Sequence, residues 1–181
     1  MVDFDALTRV GLRRWENAKL THERLLQVLK YEPETGRFIR KERTSNVIKV
    51  GQEAGWVNRN GYRYIEVCGE RFLAQRLAWF YMTGAWPSAE IDHKDCDRDN
   101  NRWCNLREAS TLQNKQNCRM KAINTTGYKG VTFDKRYGKY AARIRANHRR
   151  LSLGYFDTPE AAHKAYAAKA AELHGAFARV A

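Results

Sequence analysis

The chain has 181 residues, enough for one ordinary domain or two small ones. Its 43% hydrophobic and 12% aromatic content excludes a wholly disordered chain, and no apolar run reaches the length of a membrane span. A net charge of +13, with a pI near 9.8, points to a polyanionic partner, because counterion release from phosphates drives association.

Residues 1–20 are mixed polar and read as a leader. The opening MVDFDALTRVGLRRW lacks the apolar core of a secretory signal, so a cytoplasmic location is expected. Thr21 can cap a short helix whose apolar face is Leu25, Leu26, Val28 and Leu29, with Pro33 after its end. Gly36–Ile39 reads as a first strand, and 44–51 as a loop. Trp56-Val57 and Tyr62–Val67 flank Asn60-Gly61, a hairpin turn signal, and Gly69 marks another turn. Ala74–Thr83 reads as a core helix that Gly84 stops.

Pro87 begins a loop leading to Ile91-Asp92-His93, after which a polar stretch rich in Asp and Asn runs to Trp103. Leu106–Ala109 reads as a short strand. Ser110 with Gln113 forms a capping box that opens a helix to about Arg119. The composition changes after 121–127, read as a linker. Three short strands then follow at Val131–Phe133, Lys139–Arg145 and Arg150–Phe156, punctuated by Gly138 and Gly154. Pro159 occupies the first turn of a last helix capped by Asp157 or Thr158. Ala162, Tyr166, Ala170 and Leu173 form its apolar face, continued by Phe177.

The chemistry concentrates in IDHKDCDRDNNRWCNLREASTLQNKQN. Phosphodiester hydrolysis needs a group to take a proton from water and a positive charge to neutralise the phosphate. His93 suits the first task. Asp92 and the amide oxygen of Asn114 suit the second, as oxygen ligands for magnesium or manganese. Asn105 is suited to hold the imidazole in its working orientation. Asn101 competes with Asn105 for the middle role, and Asn117 with Asn114 for the helical one. The strand-loop-strand-helix order can fold the helix back across the two strands.

Of the four cysteines, Cys68, Cys96, Cys104 and Cys118, none shares a short CxxC spacing. Ordinary thiols are expected, with a structural zinc on Cys96, Cys104 and Cys118 as the alternative. His22, His148, His163 and His174 have no evident partner in sequence and read as surface histidines.

From about Leu73 to Asn117 the chain resembles the HNH endonuclease family, in its His-Asn-Asn branch of phage and intron-encoded homing nucleases. The run QRLAWFYMTG resembles the family's lead-in, with Gln75 where His is common. The resemblance implies a ββα-metal fold, His93 as general base oriented by Asn105, and one divalent metal on Asp92 and Asn114. It also implies products with a 5′-phosphate and a 3′-hydroxyl, and a phage-encoded protein acting in a bacterial host. Asn114 stands where the named consensus has His, which leaves the metal preference open.

In the tail, Lys139, Arg143 and Arg145 share one strand face with Ala141, while Tyr140, Ala142 and Ile144 share the other. A cationic sheet face backed by an alanine-rich helix can lie in a DNA groove. The landmarks KGV, GKYAARIR and LGYFDT resemble the plant ethylene-response-factor (APETALA-type) DNA-binding domain. Carried across, the DNA-facing residues are Lys129, Thr132, Lys139, Arg143, Arg145, Arg150 and Ser152. Plant members often have Arg, Glu or Trp at Thr132, Arg143 and Ser152, so their target sequence does not transfer.

The expected fold is α+β: a ββα-metal centre plus a small three-stranded antiparallel sheet packed on one helix. Residues 21–120 form the nuclease domain with N-terminal hairpins, its core about 73–119, and 128–181 the DNA-binding domain. The expected activity is metal-dependent hydrolysis of double-stranded DNA, with no membrane partner. A DNA-binding regulator with an inactive centre is the alternative. Arg59, Arg63 and Arg71 on the N-terminal hairpins are expected to add DNA contacts.

Overall fold

A computed structural model describes residues 20–43, 48–117, 124–146 and 149–180. Nearly all of the expected leader, part of the 44–51 loop, Cys118 and Arg119, the start of the linker and His148 lie outside the described residues. The chain divides into two compact units, Met1–Glu108 and Ala109–Ala181.

In the first unit, the Thr21 hydroxyl caps α1 (His22–Val28), accepting the Arg24 amide at 3.2 Å. The helix stops before Leu29, which is extended and opens β1 (Leu29–Glu32), paired antiparallel with β2 (Arg37–Arg40). Placing Leu29 on the helix face was therefore incorrect. Leu29 and Tyr31 point inward and Lys30 outward, so a period of two takes over where the helical period was read.

A second sheet has the order β3 (Trp56–Val57), β4 (Arg63–Val67), β5 (Glu70–Leu73). Strand β5 was missed because it runs without a break into α2 (Ala74–Thr83), Leu73 being both its last residue and the helix N-cap. Gly84, at φ 75°, ends α2 as expected, its N–H reaching the Phe80 carbonyl at 2.9 Å. Leu25, Phe38, Ile65, Phe72 and Leu77 form a fully buried core. Trp86 closes one side of it, stacked on Phe80 at 4.2 Å and Phe72 at 5.3 Å. Strand β6 (Glu90–His93) then pairs with β7 (Leu106–Ala109) around a loop that ends in a 3₁₀ turn, Trp103–Asn105.

In the second unit, α3 (Thr111–Gln116) carries the expected capping box between Ser110 and Gln113. A three-stranded antiparallel sheet follows, ordered β10 (Arg149–Phe156), β9 (Lys139–Ala146), β8 (Val131–Asp134). Helix α4 (Pro159–His174) is capped by Thr158, whose hydroxyl accepts the Ala161 amide at 3.2 Å. Ala142, Ile144, Ala162, Tyr166 and Ala170 are buried between sheet and helix. Leu173, expected on that apolar face, is 38% exposed, because the contact ends one turn earlier at Ala170. Gly130 has φ 77°, and a Cβ there would overlap the Tyr166 ring, so the backbone can approach the helix only as glycine.

The fold class is α+β, built from small antiparallel sheets, with β6, β7 and α3 in strand-strand-helix order. Of the histidines read as surface residues, His22, His163 and His174 are half-buried. His22 Nε2 lies 2.9 Å from the Tyr81 carbonyl, and His163 packs on the Tyr128 ring at 5.0 Å. Aromatic neighbours distant in sequence cover them.

Candidate active site and nucleic-acid face

Asp92 and His93 are successive residues at the end of β6, and both are buried. The two side chains take different described partners. His93 Nε2 lies 3.1 Å from Asn101 Oδ1. The Asn101 amide can be turned only one way, because its Nδ2 donates to the Asp99 carbonyl at 3.0 Å. Its oxygen therefore faces the imidazole and accepts from Nε2–H, which leaves Nδ1 as the basic nitrogen. The Tyr62 ring lies 6.3 Å from the imidazole, centroid to centroid.

Burial pushes the His93 imidazole below its ordinary 6.5, against the opposing pull of Asn101 and of Asp95, Asp92 and Asp97. Burial thus favours the neutral ring, the form that can take a proton.

Asn101 is fully buried and clamped from the first hairpin. The Tyr31 hydroxyl donates to its carbonyl at 2.6 Å, and burial pushes that phenol's pKa up. Gly36, at φ 75°, presses its Cα against the Asn101–Arg102 peptide, where a Cβ would collide with the backbone. The Trp103 amide donates to the Pro33 carbonyl at 3.0 Å.

The second hairpin grips the same loop. Arg63 donates to both oxygens of Asp99 and reaches Glu53 Oε1 at 3.0 Å. Arg98 donates to the Asn60 carbonyl at 2.8 Å and lies 4.9 Å over the Tyr62 ring. Arg63, expected to add a DNA contact, is 19% exposed and pairs within the fold. Arg71 is exposed, pairing with Glu66 at 3.4 Å and lying 5.6 Å over Trp56.

Asn105 occupies a different place from the one expected. Its Oδ1 accepts the Asp95 amide at 3.1 Å, and its Nδ2 donates to Asp95 Oδ1 at 2.9 Å and to the Asn100 carbonyl at 2.8 Å. It closes the loop on itself, and the described bond to the imidazole comes from Asn101, which the loop carries beneath the ring. Burial works against a charged Asp95, yet the bonds from the Asp97 amide, Asn100 and Asn105 together hold its carboxyl below the usual 3.8.

Asp92 is held by Arg107 on β7, with Nε at 2.9 Å and Nη2 at 2.8 Å from Oδ2. Sequence reading missed this pair; its signal was an arginine on the strand following the Asp-His strand. Asn114 lies on α3, in the second unit, whereas Asp92, His93, Asn101, Asn105 and Arg107 lie in the first. Asp92 offers a carboxylate, an oxygen donor of the kind a hard cation takes. Among the described residues, no cluster of three His, Cys, Asp or Glu could hold a metal. Cys96 is half-buried and Cys104 exposed.

In the second unit the strand register aligns Arg145 with Arg150, Arg143 with Ser152, and Ala141 with both Thr132 and Tyr155. Six of the seven residues expected to face DNA thus share one sheet face. A groove of about 490 Å³ runs along it, lined by Thr132, Arg143, Arg145 and Arg150 among others. Lys139 pairs with Asp157 at 3.1 Å, and Arg143 lies 3.9 Å from Asp134. Lys129 stands apart before β8, its ammonium donating to the Gln116 carbonyl at 3.1 Å. This unit holds fourteen of the 33 Lys and Arg but four of the 20 Asp and Glu, so +10 of the net +13 resides in it.

Residues 72–120 match the family described as HNH endonuclease, and residues 126–176 the family described as AP2 domain. The chain joins an HNH endonuclease segment to an AP2-type domain. The HNH segment thus takes in β6, β7 and α3, and the AP2-type domain the sheet and α4. Among solved structures, the chain is similar to one described as DNA binding and cleavage by the HNH homing endonuclease I-HmuI. Identity is 26% and the TM-score 0.38, over 49% of this chain and 50% of that one. The chain therefore matches about half the length of that protein. No curated protein matches it.

Proposed function

We propose that the chain is a metal-dependent DNA endonuclease. In this reading the HNH segment hydrolyses phosphodiester bonds, and the AP2-type domain holds double-stranded DNA. The observation that carries it is the imidazole of His93, buried, favoured in its neutral form and fixed at Nε2 by Asn101, with the Asp92 carboxylate on the adjacent residue. Nδ1 takes a proton from the attacking water. Asn101 keeps the ring in one tautomer, so the proton arrives at a defined atom. Asp92 and Asn114 would hold one divalent cation, magnesium or manganese. When bound, that cation supplies positive charge for the phosphate and the leaving oxygen. The Arg and Lys residues of the AP2-type sheet grip phosphates and release counterions, which supplies affinity without fixing a sequence.

The test is nicking of a supercoiled plasmid by the purified full chain, with magnesium or with chelator. Cleavage that needs the metal and disappears in His93→Ala, with DNA binding retained, is the expected result. Binding without cleavage under magnesium, manganese, calcium or zinc would instead make the chain a DNA-binding regulator.

A further inference from the structure

We propose that Arg107 is the resident counter-ion of the cation site. It holds Asp92 while no divalent ion is bound, yields the carboxylate when one arrives, and then serves the DNA phosphate. This rests on the nuclease reading above.

The Asp92 side chain is 5% exposed and that of Arg107 16%. A carboxylate removed this far from water is costly to leave without a positive or hydrogen-bonding partner. The structure supplies one from the neighbouring strand, and both described bonds of the guanidinium end on Oδ2. A divalent ion on the same carboxylate would bring like charges within a few ångströms of each other. In surroundings this dry, that repulsion is far stronger than in water. Ion and guanidinium thus compete for Asp92.

The exchange asks only the head of the arginine to move. Its backbone is fixed in β7, while its long stem allows the head to swing away from Asp92. A guanidinium released from Asp92 can take a phosphate oxygen, which its planar fork matches. Exchange of partners would make cation and DNA binding mutually reinforcing: each removes a reason for Arg107 to remain on Asp92. A carboxylate held by arginine until substrate and ion are present also keeps the centre idle on its own.

The test uses the full chain without DNA, titrated with manganese and followed by electron paramagnetic resonance of the free ion. Arg107→Gln should bind manganese about tenfold tighter than wild type or more, since a competing charge has gone. Arg107→Lys, which keeps the charge, should stay near wild type. At saturating metal, Arg107→Gln should nick plasmid with kcat lowered about 100-fold, having lost its phosphate contact. Equal manganese affinity in wild type and Arg107→Gln would overturn the proposal while leaving the nuclease reading intact. Wild type that binds no divalent ion would overturn both. Should Arg107→Gln fail to fold, the Arg107 Nε–H resonance of wild type, assigned by its loss in Arg107→Lys, decides. It should shift in step with added magnesium, and a resonance unmoved at saturation overturns the exchange.

Discussion

Arg63 on β4 grips Asp99 through two parallel bonds, Nε to Oδ1 at 2.8 Å and Nη2 to Oδ2 at 3.0 Å. The pair ties a hairpin 36 residues upstream to the loop that presents Asn101 to His93. Arg63→Ala should lower stability by about 1–3 kcal/mol, the usual cost of losing a charge-assisted contact. Cleavage should fall further than that loss explains, because the loop bearing Asn101 loosens. Urea denaturation beside nicking rates at a temperature where the variant is fully folded would check this. Wild-type rates in a destabilised variant would refute the tie.

Asn101→Leu keeps the volume of the side chain but removes the acceptor from Nε2. A neutral imidazole then samples both tautomers and loses its fixed orientation. We expect kcat to fall about 100-fold, the scale of general-base catalysis, with plasmid affinity unchanged. Single-turnover nicking and a filter-binding assay separate the two quantities. A parallel loss of affinity would show that the loop is simply misfolded.

Gly36→Ala has no room beside the Asn101–Arg102 peptide and would also hold alanine at φ 75°. The backbone strain alone is on the order of 1–2 kcal/mol, and the collision adds to it. The melting temperature should drop by several degrees. A variant as stable as wild type would mean that the two backbones are not in contact.

The pH dependence follows from the depressed His93 imidazole. If His93 is the base proposed above, its working form is neutral, so the acid limb of kcat/KM should lie below the ordinary 6.5. The same shift acts on stability. The unfolded chain takes up this proton first, so the contribution of His93 is present above about 6.5 and lost as pH falls toward its folded value. A pH–rate profile with its acid limb above 6.5 would contradict a buried, desolvated base.

Paired Arg145 and Arg150 face the groove of the AP2-type sheet. If both contact phosphate, the double alanine variant should reduce the slope of log K against log salt by about 2. Binding measured at several salt concentrations tests this; an unchanged slope would place DNA on another face.

The sequence was most legible where chemistry is local. The capping box of Ser110, the stop at Gly84 and the inward set Tyr140, Ala142 and Ile144 all depend on neighbours a few residues away, and each stands in the structure. The seam from Leu29 to Glu32 was misread because apolar residues at Leu25, Val28 and Leu29 satisfy a helix until pairing with β2 decides otherwise. The two contacts that define the candidate site were harder still. Asn101, eight positions after His93, reaches it through the path of the loop, and Arg107 reaches Asp92 through strand pairing. Residue types announced the chemistry, but which amide and which arginine would serve it depended on geometry spanning the loop.

The uneven placement of charge has a practical corollary. With most of the excess cations beyond Glu108, the tail would supply the long-range pull toward DNA in the proposed nuclease, and the centre would approach as its passenger. Raising the ionic strength should therefore slow capture well before it slows scission of a duplex already held, so that the two events part company along a salt series.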